Sequence, residues 1–169
     1  IHDSLLTTEN LLVDDKNNLK IAEFGKAAQY DVAAGSTNRT AAAAASGAAA
    51  MLMTTCGTPD YVAPEVITET NLTGYDGVKA DIWSCGVVLF VMIAGKFPFA
   101  GTHQFEKIKS ADYRIPDYFS AAAAELIQSI LVVEPEQRPT VPDIRSSSWV
   151  TNKIPHTRST DSNTQGGNV

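Results

Sequence analysis

A mainly α domain with one small β-hairpin near its start is the fold class this sequence predicts. Three observations lead there. The run from Ile82 to Ala94 is apolar nearly all round and is followed by Gly95, a natural helix stop, so it reads as a helix buried on every side. Ala121 to Val133 carries Leu126, Ile127, Ile130 and Leu131 as a helical stripe. Strand-like patterning is confined to two short stretches before residue 25.

Each element follows in order. Asn10-Leu11-Leu12-Val13-Asp14 reads as a strand, and Asp15 to Asn18 supplies turn chemistry. Leu19-Lys20-Ile21-Ala22 alternates as a half-buried return strand, closing a hairpin at Glu23-Phe24-Gly25. From Lys26 to Met53 no hydrophobic period persists. This reads as a long loop holding an Ala-rich insert, about residues 33 to 52, in which eight alanines between Ala41 and Ala50 are broken only by Ser46 and Gly47. Pro59 and Pro64 break regular structure, and Glu65-Val66-Ile67 begins a short helix. Thr70 to Gly77 is turn-like, and Asp81 is placed to cap the central helix. Phe97-Pro98-Phe99 is a turn with two apolar anchors. Gln104 to Lys109 predicts a weaker helix with Phe105 and Ile108 on one face. Ser120 caps the Ala121–Val133 helix, and Pro142 to Trp149 reads as a last short one. Thr151 to Val169 is polar and rich in Ser, Thr and Asn, a tail expected to be disordered.

Composition bounds the function. The 169 residues suit one domain, and 44% hydrophobic content is enough for a core. Thirteen basic against nineteen acidic residues give a net charge of −6, which argues against a nucleic-acid binder. The longest apolar run, Cys85 to Gly95, has eleven residues, where a membrane span needs ~20. No membrane role is expected. Cys56 and Cys85 are too few for a disulfide framework, so reduced thiols and a cytoplasmic (intracellular) setting are the simpler reading. Neither has a metal-ligand pattern nearby. The chain starts at Ile1 rather than Met.

Three segments carry a family signal. They are Glu23-Phe24-Gly25, then Gly57-Thr58-Pro59-Asp60-Tyr61-Val62-Ala63-Pro64-Glu65, then Asp81-Ile82-Trp83-Ser84-Cys85-Gly86. In this order they resemble the C-terminal lobe of a eukaryotic-type serine/threonine protein kinase, over roughly Ile1 to Val150. The wording around Thr54 to Glu65 is similar to calcium/calmodulin-type and energy-sensing kinases. Neither a Gly-rich phosphate loop nor a Val-Ala-Ile-Lys strand is present. The expected fold is therefore a kinase-like C-lobe with its hairpin and with the N-lobe absent.

The resemblance implies ATP and Mg2+ as cofactors and a protein or peptide as substrate. It also implies roles for single residues. Asn10 matches the catalytic-loop asparagine that binds magnesium, and Glu23 stands where the family has its magnesium-binding Asp. The extra methylene of Glu23 pushes its oxygens out by ~1.5 Å, and a ~1 Å misplacement can cost ~10²-fold. In the pattern H-R-D-L-x-x-x-N, counting back from Asn10 puts Leu5 at the Asp position; counting forward from His2 puts Asp3 there with two extra residues. Asp3 serves as base only if the loop bulges; otherwise it is a solvated carboxylate. Thr7 stands where such kinases usually have a lysine. Thr54, with Thr55 beside it, takes the place of the regulatory phosphosite, the target of an upstream activating kinase. Thr58 would contact the catalytic Asp. Glu65, Asp81 and Arg138 are implied to be structural: Glu65 and Arg138 as a buried ion pair, Asp81 as a tether of the catalytic loop. Trp83, Phe97 and Phe99 read as core. Two functions remain open: a kinase domain present as a partial copy, and a pseudokinase or docking module without catalysis.

Overall fold

A computed structural model describes residues 6–24, 59–68 and 75–152. Asp3, Leu5, Thr54, Thr55, Cys56, Thr58, the Ala-rich insert and the tail beyond Asn152 lie outside the described residues.

The chain enters through a single 3-10 turn, Thr8–Asn10, and forms the antiparallel pair β1 (Leu11–Val13) and β2 (Leu19–Ile21). Leu11 faces Ile21, Leu12 faces Lys20 and Val13 faces Leu19. Asp14 shapes the turn by accepting from the Lys16 and Asn18 amides at 3.0 and 2.7 Å. The expectation of a half-buried return strand is corrected: Leu19 and Ile21 are both exposed, and only Leu11 packs on the core. Among the described residues no second layer covers the hairpin.

A 3-10 turn at Pro59–Tyr61 leads into α1 (Pro64–Thr68), where Pro64 starts the helix without loss of a needed donor. The central helix α2 runs Gly77–Ala94. It is capped by Asp76, which accepts from the Val78 amide at 2.9 Å, so Asp81 lies inside the helix and is not its cap. An acceptor just ahead of Gly77 starts the helix one turn earlier than the apolar run does. Gly95 ends it in the left-handed region at φ 67, its amide bonding the Val91 carbonyl.

α2 is the core of the fold, with Trp83 and Val87 fully buried and Phe90 nearly so. It is not enclosed on every side, because Asp81, Cys85 and Met92 reach the surface. At 18 residues and mean hydropathy 1.7 it is also long and apolar enough to cross a membrane. Its packing reads instead as the core helix of a folded domain. Trp83 stacks on Phe99 at 5.5 Å, Phe99 meets Tyr113 edge-on, and Phe90 meets Phe119 at 5.4 Å.

α3 (Gln104–Ser110) buries Ile108 but leaves Phe105 48% exposed, so the two do not share the core face. The inward pair is Gln104 and Ile108, four residues apart, and Gln104 bonds Asp60 at 2.6 Å and the Phe99 carbonyl at 3.0 Å. α4 (Ala121–Ile130) is capped by Ser120, whose hydroxyl accepts from the Ala123 amide. It stops at Ile130 rather than Val133 because Leu131 turns out of the helix at ψ 60 and the Val132 amide bonds the Ile130 carbonyl, leaving the Val132 and Val133 carbonyls to meet Arg138. The expected last helix is two helices, α5 (Val141–Ser146) and α6 (Ser148–Thr151), split at Ser147 with ψ 151. Three successive serines favour caps over helix interior. Thr140 and Asp143 form a capping box at the start of α5.

Among the described residues three carboxyls sit below their ordinary values. Asn18 lowers Asp14, Thr140 lowers Asp143, and its own backbone amide lowers Glu9. A depressed folded value stabilises above the unfolded pKa and loses that contribution as pH falls through the folded one. Stability therefore declines as pH drops below the ordinary 3.8 of Asp and 4.5 of Glu. Urea midpoints measured from pH 7 to pH 2.5 should show this acid slope, and it should be shallower in Asp143→Asn.

Candidate functional site

Two residues at the mouth of the hairpin carry the candidate chemistry. Asn10 ends the first turn, and its carbonyl accepts from the Ala22 amide at 2.9 Å. Glu23 follows Ala22 and adopts φ 62, a left-handed backbone uncommon for a non-glycine residue. The hairpin thus sets Asn10 one residue from Glu23 across its open end. An amide oxygen and a carboxylate are hard donors of the kind Mg2+ takes beside phosphates and water. They form a partial set: among the described residues no group of three or more His, Cys, Asp or Glu is placed to hold a metal ion. Thr7, where the resemblance places a lysine, precedes the first turn and gives its carbonyl to the Asn10 amide at 3.2 Å.

The segment after the long loop is anchored on the helices below it. Glu65 and Arg138 form a buried, two-pronged ion pair, with both N–O distances 2.7 Å. Every remaining guanidinium donor is used as well. Nε bonds the Val132 carbonyl, one terminal nitrogen the Lys79 carbonyl, and the other the Val133 carbonyl. The Lys79 ammonium donates back to the Arg138 carbonyl at 2.9 Å. The Arg138 guanidinium carbon also lies 5.1 Å from the Trp83 ring centre. Asp81 is exposed on α2, and burial first and then the Asp81 charge raise the Tyr75 hydroxyl above its ordinary value. Although Cys85 reaches the surface, protein packed round its sulfur and then Asp81 push the thiol up to about 11, which makes it a poor nucleophile.

Sequence reasoning missed three contacts. Tyr61 reaches back 53 positions to Thr8, with hydroxyl oxygens 2.7 Å apart. Ser84 donates to the Tyr61 carbonyl at 2.9 Å. Gln104 holds Asp60. Tyr61 and Ser84 stand inside the motif segments, which was the available signal; nothing local in the sequence names their partners.

The protein kinase domain family matches residues 5–150. The chain belongs to that family. This kinase-family chain is 46% identical over 147 residues to CBL-interacting protein kinase 11 of Oryza sativa subsp. japonica, covering 85% of the chain and 26% of the relative. It is 46% identical over 144 residues to CBL-interacting serine/threonine-protein kinase 10 of Arabidopsis thaliana, covering 83% and 27%. With CBL-interacting protein kinase 8 of rice the identity is 42% over 160 residues, 93% of the chain and 32% of the relative. The kinase-family chain thus spans about a quarter to a third of the length of these relatives.

Proposed function

We propose that this chain is the C-lobe portion of a serine/threonine protein kinase, residues 1–150, followed by a polar tail at 151–169. In the whole protein it phosphorylates Ser or Thr hydroxyls of protein substrates with ATP and Mg2+. The observation that carries the reading is that the Asn10 carbonyl holds the Ala22 amide, which sets Asn10 beside the start of the Glu23 motif at the open end of the hairpin, while Glu65 and Arg138 pin the following motif segment. When bound, Mg2+ offsets phosphate charge as the phosphoryl group moves. Asn10 and Glu23 orient that ion, and the Pro59–Thr68 segment offers a fixed edge for the peptide. By the family resemblance Thr58, which lies outside the described residues, would contact the catalytic Asp and shape the substrate-docking loop, and Asp3 is the remaining candidate base. Phosphorylation of Thr54 or Thr55 by an upstream kinase regulates the site. The relatives' names add a CBL protein as a partner of the whole protein. The acidic net charge supports a role away from nucleic acid, two cysteines too few for a disulfide framework support an intracellular one, and the packed α2 supports one away from membrane.

Leu5 at the expected base position and the longer Glu23 favour weak chemistry in this chain by itself. Phosphate transfer from labelled Mg·ATP to a serine peptide tests the reading. The full-length protein should transfer it, the 169-residue chain little or none, and Asn10→Ala should lower the full-length rate by about 10²-fold or more. No transfer by the full-length protein would leave a docking module without catalysis.

A further inference from the structure

We infer that the Tyr61 hydroxyl, acting through Thr8, is a positioning group for Asn10 and Glu23. The inference rests on the kinase reading of those two residues. Tyr61 is fully buried. Its oxygen lies 2.7 Å from the Thr8 hydroxyl, accepts from the Thr8 amide at 3.3 Å and donates to Glu9 at 3.4 Å. A phenol has one proton to give. That proton is directed at the Glu9 carboxylate oxygen, which accepts. The Thr8 hydroxyl then becomes the donor, and Thr8 grips the phenol oxygen twice.

Thr8 opens a single 3-10 turn that ends at Asn10 and is closed by the Asn10 amide on the Thr7 carbonyl at 3.2 Å. Its position therefore sets that of Asn10. The Asn10 carbonyl in turn holds the Ala22 amide, and Glu23 follows in its left-handed conformation. Such a backbone persists only where its surroundings hold it. The other end of Tyr61 is equally fixed: Ser84 of α2 bonds its carbonyl, and its ring meets Phe97 edge-on at 5.3 Å. One phenol thus ties the rigid central helix to both candidate metal ligands.

Tyr61→Phe keeps the ring and removes the hydroxyl; Thr8→Val removes the other partner at equal size. Hydrogen exchange at the Asn10 and Ala22 amides should accelerate about two- to twelvefold in each variant, the scale of one net hydrogen bond. The double variant should add nothing beyond Tyr61→Phe, since losing the phenol oxygen already removes the Thr8 hydroxyl's partner. Amides of Gly95 and Leu131, which close α2 and α4, should stay unchanged. With Mn2+ as the probe, broadening of the Asn10 and Glu23 resonances should need about two- to twelvefold more metal in either variant. If Tyr61→Phe fails to fold, Thr8→Val carries the same test. Exchange at Asn10 and Ala22 equal to wild type overturns the inference. Mn2+ responses equal in wild type and variants overturn it too, while leaving the kinase reading intact. A wild-type protein whose Asn10 and Glu23 ignore Mn2+ overturns the metal reading beneath it.

Discussion

Replacing Arg138 with Ala should lower stability by about 3–5 kcal/mol, because it leaves the Glu65 carboxylate buried without its counter-charge. For a chain of this size that is a fall in melting temperature on the order of 10 °C. Glu65→Gln should cost a similar amount by stranding the guanidinium instead. Arg138→Lys should fall between, since an ammonium has three donors for a site that uses five. Exchanging the two residues should not rescue the fold. The carbonyls of Lys79, Val132 and Val133 surround position 138, and a carboxylate placed there would face three acceptors. Urea unfolding measures all four variants. An Arg138→Ala midpoint close to wild type would mean that the pair anchors nothing.

Gly86→Ala is the second large effect, at about 1–3 kcal/mol of overpacking. A methyl group at Gly86 would stand 2.5 Å from Cγ2 of Ile130 and 2.9 Å from Cδ2 of Leu131. Both are buried side chains at the end of α4, and Ile130 Cγ2 is a branch fixed near its backbone rather than a flexible tip. The helices α2 and α4 meet closely because position 86 has no side chain. Ile130→Ala alone should cost about 2–5 kcal/mol by leaving a cavity. Combined with Gly86→Ala it should cost less than the sum, since the new methyl occupies space the old one vacates. Strict additivity in the double-mutant cycle would show that the two sites do not touch.

Much of the local structure was legible because it depends on neighbours in sequence. Gly95 after an apolar run, Ser120 before an alanine-rich one and Pro64 at a helix start each act within a turn of their own position. The errors fall where a distant group intervenes. Val132 and Val133 look helical, yet their carbonyls leave the helix to meet Arg138. Phe105 looks like a core residue, yet Gln104 takes the inward direction because Asp60 and the Phe99 carbonyl wait there. Asp81 outranked Asp76 as a cap because the apolar run starts after it, although Asp76 already satisfies the first amides. The candidate site shows the same division. Asn10, Glu23, Glu65 and Arg138 were named by motif. The way their surroundings hold them was not.

The sequence by itself determined the kinase-family membership, the mainly α character and the caps at Gly95 and Ser120. Periodicity, capping chemistry and motif order are all written along the chain. Only the tertiary structure decided that Tyr61 grips Thr8 across 53 positions, that Arg138 spends every donor, and that Gly86 is the point where two helices touch. Such contacts depend on the relative placement of elements far apart in sequence, and burial makes their hydrogen bonds and packing obligatory once the elements have met.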